Sequence, residues 1–356
     1  MKTIAVTKIG NLRDPDPETR GRVGIVDFPA QPLGEEDVRI RVAFAAICGS
    51  DPHLAEGFFG TAVPIGLGHE ISGVVDALGE RAHRTGLAVG DRVAGNFVRF
   101  CGTCLPCREG RQQFCEYLQD YNRPGMSEFV TWHESQVYRL PDSVSLLMGC
   151  LLEPTSVAVR IVDKAHLEVG QRVAVCGGGP IGQLVVQLMR RHGATSLTMI
   201  EPIASRRAMA QRHGAEHVID PLAQDAVAIA QEITLGRGFD VVVDASGSTR
   251  AVSGLLDLAA RGGTVIYGAM YPEDFEMPLN LSDRLYLQEL TLTGVFISPY
   301  AFPRALQLLP QLDVEELTAT VFPFWEAVDA FDAHLSGQHP KVIIHCYQTE
   351  EAATFT

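Results

Sequence analysis

Residues 171–194 read QRVAVCGGGPIGQLVVQLMRRHGA. Val173 to Cys176 is a short apolar run suited to a buried strand, and apolar residues at Ile181, Leu184, Val185 and Leu188 mark one face of a helix. Between them, Gly177, Gly179 and Gly182 form G-x-G-x-x-G, with Pro180 and Ile181 completing the turn. In that setting the first glycine permits the tight turn, the second lets a pyrophosphate approach the backbone, and the third lets helix and strand pack closely. The spacing alone is weak in a chain with 34 glycines; the strand-to-helix junction gives it weight.

The next strand, Leu197 to Ile200, ends in Glu201, nineteen residues after Gly182. A carboxylate there accepts hydrogen bonds from ribose hydroxyls and repels a 2′-phosphate, which predicts NAD over NADP. Arg206 is the counterweight, since a guanidinium accommodates that phosphate, but it lies in a helical run where solvated charge is ordinary. Further strands are expected at His217–Ile219, Asp240–Ala245 and Thr264–Ala269, alternating with helices. This is an α/β dinucleotide fold on a parallel sheet over residues 155–292.

Upstream, residues 48–70 read CGSDPHLAEGFFGTAVPIGLGHE. Val38, Ile40, Val42 and Phe44 alternate with polar or small residues, so Cys48 sits where a half-buried strand opens into a loop that Gly49 lets bend. His69 and Glu70 follow Gly66 and Gly68, placing them to fold back toward the thiol. Cys48, His69 and a carboxylate make a three-ligand set with one position open, the arrangement of catalytic zinc. The blander reading is a core cysteine with a surface His-Glu pair. Glu153, ahead of a proline at the head of a helix and amid Leu151, Leu152 and Val157, is either a helix N-terminal charge or a further group near the metal.

Cys101, Cys104, Cys107 and Cys115 have the spacing C-x2-C-x2-C-x7-C, with Gly102, Pro106 and Gly110 supplying turns. Four thiolates on so short a lobe surround one tetrahedral zinc with no open position, a structural site; an iron-sulfur cluster is the less favoured occupant. Cys150, Cys176 and Cys346 read as core residues.

The 356 residues have room for two domains, with boundaries expected at 1–154, 155–292 and a return of 293–356 to the first domain, closed by a strand over Lys341–Cys346. Residues 11–34, rich in proline, glycine and charge, read as a surface excursion. A net charge of -14 argues against nucleic acid or an anionic membrane as partner and favours a small-molecule substrate. No secretory signal and no bilayer-length apolar run is visible, so a cytoplasmic setting with unpaired cysteines is expected.

Together, ICGSDPH at 47–53, GHE at 68–70, GDRV at 90–93, the four-cysteine lobe, EP at 153–154 and GGGPIG at 177–182 resemble the zinc-containing medium-chain dehydrogenases, within them the polyol (sorbitol-like) branch. The resemblance spans nearly the whole chain. It implies a β-rich GroES-like catalytic domain with a Rossmann doubly wound domain, two zinc ions per chain, NAD, and a homodimer or homotetramer formed through the dinucleotide domain. It implies that Cys48 and His69 bind catalytic zinc with Glu70 or Glu153 as the third protein ligand, the two carboxylates exchanging during turnover. Ser50 and His53 match the family's proton relay, which runs through the cofactor ribose. The activity implied is hydride transfer between a secondary alcohol (polyol, sugar or sugar acid) and NAD. Threonine-type hydroxy amino acids and simple alcohols are alternative substrates, and a zinc-free quinone-reductase type or a non-catalytic NAD-binding protein are alternative identities.

One departure stands out: where sorbitol dehydrogenases carry an Arg-Tyr pair, this chain has Ile297 and Ser298 after Phe296. Phe58, Phe59, Tyr121, Arg123 and Phe296 are candidate pocket residues, and Arg123 is a candidate partner for a substrate carboxylate.

Overall fold

In a computed structural model that describes residues 1–58, 60–118 and 123–346, the alternation after Val38 becomes the strand Asp37–Ala46. Val38, Ile40 and Val42 are fully buried on it, as the period-two pattern requires. The strand is the hub of a seven-stranded sheet. It pairs antiparallel with Glu70–Leu78, Phe129–His133 and Ile343–His345, and the sheet continues outward to Val321–Pro323 on one side and Arg92–Gly95 and Val137–Arg139 on the other. Both Glu70 and Ile343 lie opposite Ala46, so segments far apart in sequence converge two residues before Cys48.

A second, three-stranded sheet sets Lys2–Lys8 between Arg22–Asp27 and Ile65–Gly66. Arg22–Asp27 falls inside the stretch expected to be a surface excursion. Its alternation is short, interrupted by Gly24 and nowhere fully buried, so it depends on the ladder with Lys2–Lys8 to form a strand. The core beneath these sheets is built from Ile4, Ile40, Leu67, Met126, Trp132, Phe324 and Phe331.

The chain divides into two units, Met1–Glu153 joined by residues from Ala305 on, and Pro154–Arg304. The second runs past residue 292 to Arg304 because the segment after its last strand stays attached. Ser298 Oγ lies 2.6 Å from Ser156 Oγ, and Arg304 grips both carboxylate oxygens of Asp163 at 2.6 and 2.7 Å.

The second unit holds a six-stranded, wholly parallel sheet in the order His217–Ile219, Ser196–Ile200, Arg172–Cys176, Phe239–Asp244, Ala259–Tyr267, Thr291–Gly294. This is the doubly wound order in which the first strand sits centrally and the direction of winding reverses beside it, where ligands bind at the carboxyl ends of the strands. Among the described residues no helix is long and apolar enough to cross a membrane.

Candidate active site and metal centres

Cys48 and His69 lie just beyond the same end of one antiparallel ladder, one on each strand, next to its last pair, Ala46 and Glu70. That pairing brings together residues 21 positions apart in sequence. One ligand atom each from Cys48, His69 and Glu70 all fall within 4.8 Å of one another, a spacing a single zinc spans with bonds of about 2.0–2.3 Å. A thiolate, an imidazole and a carboxylate are a catalytic zinc donor set, so the residues fit the metal.

Gly49 does not act as expected. It sits in ordinary helical conformation (φ -61°) as the N-cap of the short helix Ser50–Ala55, which carries Ser50 and His53 three residues apart on one face. His53 Nδ1 is 3.2 Å from Glu56 Oε2 and remains partly exposed. Gly68 is the glycine the turn needs: its φ is +92°, and a Cβ there would lie 2.4 Å from Met126 Cγ.

Two residues that sequence reasoning did not single out complete the site. Asp51 is fully buried; one of its oxygens accepts the Cys48 N–H at 2.8 Å and the other lies 3.8 Å from His69 Nδ1. At that distance the carboxylate acts on the imidazole through its charge, favouring the protonated ring, and not through a hydrogen bond. Lys341, also buried, places Nζ 2.7 and 2.6 Å from the two oxygens of Glu70. It arrives on the approach to Ile343–His345, so only the sheet register reveals it.

Burial acts to lower the His69 imidazole, but the neighbouring Cys48 charge and hydrogen bond and the Asp51 carboxylate outweigh it, and the ring is held well above its ordinary range. Zinc therefore competes with a proton for this ring, and metal uptake is linked to proton release. Glu153, in the first turn of Leu152–Ala165, is buried and lies outside the three-atom cluster. Burial raises its carboxyl to about 7; the His69 charge opposes the rise and Glu70 adds to it.

A folded-state pKa above the unfolded value means the folded chain keeps a proton that the unfolded chain releases. Glu153 therefore contributes stability to the zinc-free protein at low pH, and that contribution fades as pH climbs from about 4.5 to about 7. Melting curves of chelated protein are expected to show wild type losing stability relative to Glu153→Gln across that window. A difference that is flat with pH would contradict the assignment.

The second cluster gathers the four sulfurs of Cys101, Cys104, Cys107 and Cys115, again within 4.8 Å. Cys101 and Cys107 Sγ lie 4.0 Å apart, close to the roughly 3.8 Å edge of a tetrahedron with Zn–S of about 2.3 Å. The Cys104 and Thr103 N–H groups donate to Cys101 Sγ at 3.3 and 3.4 Å, and the first of these does most to bring its thiol down to about 6, a state ready to bind metal.

The glycine turn in the second unit meets the requirements of a dinucleotide cradle. A Cβ on Gly177 would lie 2.7 Å from Ser246 backbone, and one on Gly182 only 1.9 Å from Gly177 O. Gly179 faces open space, with nothing within 4 Å of its Cβ position, which leaves the room that close approach of a pyrophosphate requires. Glu201 is buried, and its carboxylate accepts the N–H groups of Gly178 (2.6 Å) and Ile203 (2.8 Å). A carboxylate has about four lone-pair sites, so capacity remains for ribose hydroxyls. Arg206 stands on the first turn of Ala204–Arg212; a Cβ on Gly178 would meet Glu201 Cγ at 3.0 Å and Arg206 Cβ at 3.3 Å.

Of the pocket candidates, Phe59 and Tyr121 lie outside the described residues. Arg123 is exposed and lines a hollow with Phe28, Gln31, Ile65 and Pro124 that includes none of the zinc-candidate residues. Phe296 is 53% exposed in the second unit.

Two family models match the chain: the alcohol dehydrogenase GroES-like domain over residues 34–142 and the zinc-binding dehydrogenase over residues 180–311. A probable D-xylulose reductase A from Neosartorya fischeri is 34% identical over 90% of this chain and 93% of its own length. The D-xylulose reductase A of Aspergillus oryzae is 32% identical over 91% of this chain and 93% of its own. Among solved structures, a putative zinc-binding dehydrogenase from Clostridium scindens superposes with a TM-score of 0.89 at 31% identity, covering 97% of this chain and 99% of that one. Another, from Sinorhizobium meliloti and bound to NADP, gives 0.85 at 29% identity, with 97% and 99% coverage.

Proposed function

The chain belongs to the zinc-containing medium-chain dehydrogenase family, and from that premise we propose that it transfers a hydride between a secondary hydroxyl of a polyol and NAD. The observation that carries the reading is the convergence of Cys48, His69 and Glu70 at the end of one ladder. Zinc supplies a Lewis acid that lowers the pKa of an alcohol hydroxyl, and the nicotinamide supplies the hydride acceptor.

Cys48, His69 and Glu70 form the proposed ligand set, with Glu153 as a buried carboxyl beside it. Asp51 places a buried negative charge beside the His69 ring and accepts the Cys48 N–H, and Lys341 holds Glu70 in one place while balancing its charge. Ser50 takes the proton from the substrate hydroxyl, and His53, partly exposed on the same helix face, passes it to solvent. Gly177, Gly179, Pro180, Ile181 and Gly182 seat the pyrophosphate, and Glu201 favours the ribose hydroxyls of NAD over a 2′-phosphate.

A neutral polyol is preferred as substrate. Ser298, at the position of the missing Arg-Tyr pair, is buried against Ser156, and the relatives named D-xylulose reductase put ketopentoses and pentitols first in a substrate panel. Copies of the chain are proposed to associate through the second unit, whose edge strand Thr291–Gly294 follows the exposed Leu281, Tyr286 and Leu287. Eight free cysteines support a reducing, cytoplasmic setting.

The test is the rate of NADH or NADPH formation by zinc-replete protein across pentitols, hexitols, sugar acids, hydroxy amino acids and simple alcohols. Turnover is expected on a polyol, with kcat/KM for NAD at least about tenfold above NADP, the size of one lost charge-assisted contact. Turnover confined to sugar acids or hydroxy amino acids would overturn the substrate assignment, and a preference for NADP would overturn the role of Glu201.

A further inference from the structure

We propose that Gln183 and His213 are positioning residues for the dinucleotide, setting the direction of the Gly178–Gly179 peptide; the proposal rests on the cofactor reading above. Gln183 follows the third glycine of the turn and is fully buried on a helix whose neighbouring positions, Leu184, Val185 and Val186, are also fully buried. A primary amide in such a place is unfavourable unless its hydrogen-bonding groups are used. Here they are. Nε2 donates to Gly178 O at 3.0 Å and to Arg206 O at 2.9 Å, and Oε1 lies 2.9 Å from His213 Nδ1.

Carbonyl oxygens only accept, so the two Nε2 contacts fix which end of the amide is nitrogen. Oε1 is then the acceptor, and Nδ1 of the buried His213 must carry its hydrogen. The histidine locks the amide, and the amide locks the turn.

The consequence falls on Gly178. Its N–H is taken by Glu201 at 2.6 Å and its carbonyl by Gln183, so this residue is held at both ends. In a trans peptide the N–H points opposite to the C=O. With the Gly178 carbonyl drawn inward to Gln183, the Gly179 N–H is directed the other way, on the residue whose Cβ position is open. A backbone donor there meets a pyrophosphate oxygen. The second Nε2 hydrogen ties the same amide to Arg206 O, at the start of the helix that flanks Glu201. One side chain thus couples the phosphate end of the site to the residues that distinguish a ribose hydroxyl from a 2′-phosphate.

The test is calorimetric titration of the zinc-replete protein with ADP-ribose, which cannot turn over, with NADH titrated by fluorescence and melting temperature recorded for each variant. Gln183→Leu is expected to weaken both ligands about tenfold, the worth of one fixed hydrogen bond. His213→Leu is expected to move affinity the same way, whereas His213→Asn, which keeps an N–H near the Nδ1 position, stays within about twofold of wild type. The double variant Gln183→Leu/His213→Leu leaves neither partner of the Oε1–Nδ1 contact unpaired and is expected to melt above His213→Leu, short of wild type because the Gly178 and Arg206 carbonyls still lack their donor, without recovering affinity. That split separates positioning from a structural role. Wild-type affinity in Gln183→Leu or in the double variant overturns the proposal. Should Gln183→Leu fail to fold, equal affinity of His213→Leu and His213→Asn overturns it. Wild type that binds neither NADH nor ADP-ribose overturns the cofactor reading and this proposal with it.

Discussion

Cys48→Ala is expected to lower kcat/KM by about four orders of magnitude, because losing Lewis-acid assistance removes several kcal/mol of transition-state stabilisation at about 1.4 kcal/mol per tenfold. The variant keeps His69 and Glu70, but Lys341 already engages both Glu70 oxygens. Two donors, one of them held by a lysine, fall short of the three protein ligands that catalytic zinc takes. Metal analysis should therefore find the zinc of one cluster lost and that of the four-cysteine cluster kept. ADP-ribose affinity should not change, since the glycine turn belongs to the other unit. Full zinc content with kcat/KM within tenfold of wild type would remove Cys48 from the ligand set. Undiminished dinucleotide binding beside lost turnover would separate this outcome from general unfolding.

The parts of the site that were legible in sequence are those whose geometry is local. Gly177, Gly179 and Gly182 each perform a distinct steric task within six residues, so their spacing carries the turn directly. The four cysteines lie within fifteen residues, so one short lobe with turns at Gly102, Pro106 and Gly110 can gather their sulfurs without help from distant parts of the chain. Cys48 and His69 were legible because a strand pattern preceded one and paired glycines preceded the other. Asp51 and Lys341 were not. Asp51 looks like an ordinary helix N-terminal acid until its burial is seen, and Lys341 reaches Glu70 across 271 residues through a register that no local pattern encodes. The glycine at position 49 was misread for the converse reason: its neighbours Ser50, Asp51 and Pro52 favour a helix start, so a residue permissive of any conformation adopts the helical one. The strand Arg22–Asp27 escaped because Pro, Gly and charge around it mark a loop, whereas its partner strand supplies the order. Gln183 was legible only as one more residue of the helix after the turn; that it faces inward to His213 is a tertiary fact.

Cys107→Ser is expected to collapse the four-cysteine lobe and leave the catalytic cluster intact. Among the described residues the lobe has almost no apolar interior of its own: its buried cluster is Cys104, Cys107 and Cys115, with Phe100, Cys101 and Leu118 partly buried against them. A segment that buries so little cannot offset its chain entropy without a cross-link, and none of these cysteines is disulfide-bonded. The cross-link that four converging sulfurs fit is a metal ion. Burial and the neighbouring thiols push the Cys107 thiol up to about 12, so it ionises only when zinc compensates. Structural zinc binding is worth about 10–16 kcal/mol in isolated peptides near neutral pH, and a serine oxygen in place of one thiolate forfeits much of it. The variant should lose the lobe's zinc, become cleavable by protease between residues 101 and 118, and melt at a lower temperature. A reduced but measurable turnover should persist, because Cys48, His69 and Glu70 are placed by the seven-stranded sheet and not by the lobe. Retained zinc at both clusters with unchanged protease resistance would show that the lobe is held by packing after all. Loss of turnover as complete as in Cys48→Ala, at a temperature where the rest of the chain stays folded, would mean that the lobe shapes the active site directly.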